Sequence, residues 1–104
     1  MKQHLVVFEA IPWVDAGKGM RYKKFEKDNK ILRLIELTKD YEELDWCHHG
    51  HIGVIIEGIF RVTFEDHMEE FKQGDVVWVS AGEGDKHKAS VPDEKPMLML
   101  SFEM

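Results

Sequence analysis

Leu44-Asp45-Trp46-Cys47-His48-His49-Gly50-His51-Ile52-Gly53-Val54-Ile55-Ile56-Glu57-Gly58 sets a row of metal-ligating side chains directly before an apolar run. Three of the six histidines lie here, beside the only cysteine of the chain. Asp45, Cys47, His49 and His51 recur at every second position, so an extended backbone would aim all four to one side. His48 has the opposite parity and is expected to be exposed. No other stretch suggests chemistry as directly.

Outward from this cluster the dominant period is two, broken by turn residues every eight to twelve positions or so, which indicates an all-β fold. Met20 to Phe25 and Ile31 to Leu37 flank Lys27-Asp28-Asn29-Lys30, whose Asp-Asn pair tolerates the left-handed conformations of a tight hairpin turn. Phe60, Val62 and Phe64 alternate with Arg61, Thr63 and Glu65, as in a strand with one wet face. A short strand is predicted at Glu69 to Lys72, a buried one at Val76 to Val79, another from Lys86 to Val91 carrying His87, and a last one at Met97 to Phe102. Ala81 to Asp85 reads as a glycine-containing loop. About eight strands and no long helix follow. Short antiparallel strands must dispose of their edges, and a small barrel or a two-sheet jelly roll does so at this size.

A length of 104 residues suits one domain, and 43% hydrophobic residues with 11% aromatics suffice for a core. The net charge of -6 offers no basic field for phosphates, so nucleic acid is not an expected partner. The apolar run at Leu5 to Phe8 is too short for a secretory or membrane segment, so the expectation is a cytoplasmic chain with no membrane contact. A lone cysteine excludes an intrachain disulfide. The segment from Leu5 to Val14 is too apolar for a free tail and is expected to dock on the body or on a second subunit, as in a homodimer.

The spacing resembles that of the cupin superfamily. Its first motif runs Gly, five residues, His-x-His, three or four residues, Glu, six residues, Gly. With Gly58 as the closing glycine, His51 stands at the Glu position, and Cys47 and Asp45 stand at the two His positions. The second motif runs Gly, five residues, Pro-x-Gly, two residues, His. Gly74 to Gly82 follow it with Ser80 in place of proline, and Asp85 falls at the His position with His87 two residues on. Trp46, Cys47, Gly50 and His51 are also similar to a branch of single-domain cupins with a Trp-Cys-x-x-Gly-His first motif. The resemblance implies a cupin-type double-stranded β-helix, a jelly-roll barrel over residues 31–104, with strands of residues 1–30 packing on it or on a dimer partner. Every first-motif ligand differs in type from the usual one, so the resemblance implies no particular reaction.

Asp45, Cys47, His51 and His87 are the expected metal ligands, with His87 favoured over Asp85. Thiolate, imidazole and carboxylate suit a divalent metal ion, Zn or Fe, far better than magnesium or calcium. Asp45 in an outer position could orient a histidine and leave one coordination position open. Either parity or a turn at Gly50 decides whether His49 joins. An interior Glu57 would be a candidate general base. A Cys-His nucleophilic pair lacks any visible oxyanion element. Trp46 and Trp78 are expected in the core or a pocket wall, and His4 and His67 on the surface. Two functions are compatible with the set: a metal-dependent enzyme on a small polar metabolite, or a non-enzymatic module that binds a small-molecule ligand or metal.

Overall fold

A computed structural model describes residues 4–103; of the N-terminal segment, residues 1–3 lie outside the described part. Among these residues nine strands succeed one another: β1 Val14–Asp15, β2 Met20–Lys27, β3 Lys30–Leu37, β4 His51–Glu57, β5 Phe60–Phe64, β6 Met68–Phe71, β7 Val76–Val79, β8 His87–Ser90 and β9 Met97–Glu103. Two 3-10 turns, Phe8–Ala10 and Glu83–Asp85, are the only helical pieces among the described residues. The strands form a six-stranded sheet in the order β1-β2-β3-β9-β4-β7 and a three-stranded sheet in the order β6-β5-β8. All pairings are antiparallel. The expected all-β jelly-roll architecture is present, but the sheets are not closed into a barrel. Closure needs hydrogen bonds between the outer strands of the two sheets, and no such ladder joins them among the described residues.

Local chemistry accounts for the β2–β3 hairpin. Asp28 and Asn29 adopt φ of 54° and 61°, the doubly left-handed turn whose twist matches the flanking strands. The ladder then runs unbroken from Lys27↔Lys30 to Met20↔Leu37. Both sheets contribute to one core: Leu37, Ile55, Val77, Val79, Met97 and Met99 from the larger, Phe60, Val62 and Ala89 from the smaller, with Val91 beyond β8. A register shift between Ile55 and Glu57 on β4 changes the parity there. Ile55 is buried, and Glu57, two residues on, is exposed. The interior general base considered from sequence is therefore excluded by the bulge.

Strand β7 corrects a second expectation. Val77 and Val79 are buried, but Val76 is 62% and Trp78 70% exposed, so the strand is buried on one face only. Trp78 is not a core residue. β1 lies within residues 1–30, where the resemblance implies strands, and Ala81 to Asp85 includes a 3-10 turn rather than loop alone. No described helix is long and apolar enough to cross a membrane.

Candidate metal centre

Three separate segments bring the cluster together. His51 opens β4 in the larger sheet and His87 opens β8 in the smaller one. Cys47 lies in the connection between β3 and β4, where it forms an isolated antiparallel bridge with His87. The Cys47 N–H donates to the His87 carbonyl at 2.7 Å, and the His87 N–H donates back to the Cys47 carbonyl at 3.0 Å. Around this bridge the connection is tied down further. The Ala89 N–H donates to Glu43 Oε1 at 2.8 Å, and Lys86 and Lys88 place their ammonium groups 5.8 and 5.1 Å from the Trp46 ring centroid.

Gly50 allows the histidine-rich segment to reach β4. A Cβ at this position would stand 2.9 Å from the Val79 carbonyl oxygen and 3.1 Å from the Ala81 nitrogen, so a larger residue would push the segment off the end of β7. The Gly82 N–H also donates to the His48 carbonyl at 3.0 Å. Residues 45–50 thus run as an irregular connection rather than as the extended strand that the alternation suggested. That is why the four-ligand row fails. Asp45 is exposed and outside the cluster, and His49 is exposed at the rim of the neighbouring cleft.

One ligand atom from each of Cys47, His51 and His87 lies within 4.8 Å of the others. Cys47 Sγ and His51 Nε2 are 4.0 Å apart, and the two imidazoles meet edge to face with centroids 5.0 Å apart. His87 is completely buried. Its Nδ1 is 2.8 Å from the Asp85 carbonyl oxygen, which can only accept, so Nδ1 carries a proton and Nε2 is the nitrogen available to a metal. That Nε2 is buried and meets no hydrogen-bond partner among the described residues. Burial first, then the neighbouring His87 and His49, push the His51 imidazole down to about 4, so its ring is neutral at pH 7.

Asp85, which the second-motif spacing put in competition with His87, contributes its backbone carbonyl while its residue stays exposed. Sequence spacing cannot show such a role. Tyr41 and Glu43 were also missed; with Cys47, His51, Phe60 and Met99 they line a small, partly open cavity of about 100 Å³. Burial raises the Tyr41 phenol, with Glu43 and Cys47 acting in the same direction, so it stays protonated. On its other side the cluster borders a wider cleft of about 580 Å³, lined by Arg33, Cys47, His49, His51, Ser101 and Glu103 among others. His48 pairs with Glu83 at the surface, His67 with Asp66 and Glu69, and His4 is exposed.

No protein-family model and no curated protein sequence matches the chain. Solved structures do. An RmlC-like cupin from Shewanella frigidimarina aligns at 16% identity and TM-score 0.71 over 99% of this chain and 93% of that one. KdgF from Halomonas sp. aligns at 15% identity and TM-score 0.76, covering 97% and 93%. A sugar phosphate isomerase of the cupin superfamily from Silicibacter pomeroyi aligns at 14% and 0.75, covering 95% and 74%. The chain has the fold of these small cupin domains. At these identities the likeness carries the architecture and leaves the chemistry to this chain's own residues.

Proposed function

We propose that Cys47, His51 and His87 hold a divalent transition metal, zinc or ferrous iron, and that the protein acts on a small polar metabolite in the adjoining cleft. The observation that carries this reading is the orphaned Nε2 of His87. A buried polar atom without a partner costs about 1–3 kcal/mol, and a cation at that position removes the cost. The tautomer supports it as well, because a carbonyl holding Nδ1–H is the usual arrangement behind an Nε2 ligand.

The donor set and spacing fit such an ion. Bond lengths of about 2.0–2.3 Å in tetrahedral geometry separate ligands by about 3.3–3.8 Å. The observed 4.0 Å between sulfur and nitrogen, within a 4.8 Å limit for the trio, needs only a small contraction. Thiolate and imidazole favour zinc or iron over magnesium or calcium. Three protein ligands leave a position for water or substrate, and an ion there would supply Lewis acidity. The chain's own contributions are specific: the Asp85 carbonyl orients His87, the Cys47 bridge fixes the sulfur beside β8, and the Tyr41 phenol stays protonated at the cavity wall.

Cobalt(II) titration of reduced, metal-free protein tests this without assuming a substrate. We expect one equivalent to bind with a thiolate-to-cobalt charge-transfer band, absent in Cys47→Ser and greatly weakened in His51→Ala and His87→Ala. His67→Ala should behave as the wild type. Absence of stoichiometric binding, or of the band in wild type, overturns the reading.

A further inference from the structure

Arg33 stands on the inner face of the larger sheet, in one cross-strand row with Ser101 of β9 and Gly53 of β4. Ser101 is buried, so the row offers a small hydroxyl floor between an arginine on one strand and the His51 end of another. Strands β3 and β4 are separated only by β9, which puts their backbones about 10 Å apart. Arg33, Ser101, Cys47 and His51 all line the 580 Å³ cleft, a size suited to a small ligand.

The arginine is held for use rather than neutralised in place. Its guanidinium carbon lies 4.9 Å from the Tyr22 ring centroid, which fixes the plane of the head group. Its Nε is buried. Glu103 Oε1 lies 3.0 Å from that Nε, but the pair lacks the alignment of a hydrogen bond. The glutamate side chain is 44% exposed. An exposed, poorly aligned ion pair contributes little, whereas a carboxylate accepting two parallel N–H bonds from a guanidinium is among the stronger polar contacts. A ligand carboxylate can therefore replace Glu103 at small cost.

We infer that the cleft takes small carboxylate metabolites, with the carboxylate on Arg33 in place of Glu103 and the polar end of the molecule directed toward Cys47, His51 and His87. This rests on the metal reading only for the polar end, since Arg33 alone anchors the carboxylate. About 10 Å between the strands, shortened by both side chains, limits the ligand to a few carbons. A 2-hydroxy acid has that length and chemistry.

Lactate and its neutral isostere lactamide test the inference, with binding followed by amide chemical shifts of the full chain, metal-free and after cobalt loading. Lactate is expected to bind at least about tenfold more tightly than lactamide, a difference of about 1.4 kcal/mol. Arg33→Gln should erase the preference. Glu103→Gln, a change at an exposed position that removes the one carboxylate paired with Arg33 among the described residues, should tighten lactate about three- to tenfold without affecting lactamide. Equal binding of acid and amide by wild type, or a lactate affinity indifferent to both substitutions, overturns the inference. The cobalt band should be unchanged in either variant. Loss of metal binding in wild type with an intact Arg33-dependent acid preference would sink the metal reading and leave the carboxylate anchor standing.

Discussion

Replacing His87 by leucine separates the cost of the metal-free site from its benefit when loaded. In the metal-free protein the substitution removes a buried nitrogen without a partner, worth about 1–3 kcal/mol. It also deletes the Nδ1–H bond to the Asp85 carbonyl, worth about 0.5–1.5 kcal/mol, but Asp85 is exposed and water can take over that carbonyl. Leucine is of similar bulk and inherits apolar contact with Phe64, whose ring centroid is 6.0 Å from that of His87. The net expectation is a gain of about 0–2 kcal/mol, or a melting temperature from unchanged to roughly 10 °C higher at this chain length.

Metal should invert the order. An ion at a hundred times its dissociation constant stabilises the wild type by about 2.7 kcal/mol, roughly 10–20 °C. The variant retains two ligands and should gain almost nothing. The assay is calorimetric melting of both proteins in chelator and in excess zinc, with His67→Leu as the control that keeps the metal response. If His87→Leu melts far below wild type in chelator and zinc raises both by the same amount, His87 is a structural core histidine and the argument from its orphaned nitrogen fails.

The remaining predictions concern other parts of the chain. Gly58→Ala should destabilise by at least about 1–3 kcal/mol in urea, because φ is +79° and the new Cβ would lie 2.5 Å from the Pro96 carbonyl oxygen. Gly84→Ala, with nothing within 4 Å, should stay within about 0.5 kcal/mol, and equal costs at both would contradict the packing argument. Hydrogen bonds to Asp66 and then Glu69 raise the His67 imidazole above its usual 6.5. Its small stabilising contribution is complete below pH 6.5 and disappears as pH rises through the folded value. Ring-proton NMR should show a titration midpoint above 6.5 that falls in Asp66→Asn; no change on substitution refutes the pairing. Leu5 and Val7 are 81% and 47% exposed in a molecule 51 Å long by 29 by 25 Å, which predicts a homodimer covering them. Light scattering should return twice the 12.2 kDa chain mass, reduced to one copy in Leu5→Asp/Val7→Asp, and a monomeric wild type would refute it.

What the sequence made legible is what local chemistry specifies. The Asp28-Asn29 turn, the hairpin it closes and the alternation of β5 could be read directly, because each depends on residues within a few positions. Which face of β7 is buried was not legible: Val76 and Trp78 are as apolar as Val77 and Val79, and only the sheet packed against them decides. Barrel closure failed for the same reason, since it depends on register between strands far apart in sequence. At the site, alternation grouped Asp45 with Cys47, but the chain there is positioned by long-range contacts: the bridge to His87, Glu43 on the Ala89 amide, and Gly50 against Val79. The His87 tautomer was beyond any spacing argument, because a backbone carbonyl sets it.

The placement of the three ligands gives the open fold a further consequence. His51 belongs to the larger sheet, His87 to the smaller, and Cys47 to the connection that adds a bridge to the edge of β8. A metal ion bound by all three would tie the two sheets at a position where no backbone hydrogen bonds join them among the described residues. Its binding energy would then act on the sheet-to-sheet contact as well as on the site itself. Without the ion, two imidazoles and a sulfur face one another across that contact with the buried Nε2 of His87 unmet, which weakens the place where closure is missing. Hydrogen exchange should therefore slow on β8 and on the start of β4 when metal is added, while the turn end of β2, Phe25 to Lys27, held by an unbroken ladder to β3, should exchange as before. Uniform protection of all strands would mean that the ion stabilises the fold globally and does not staple the sheets.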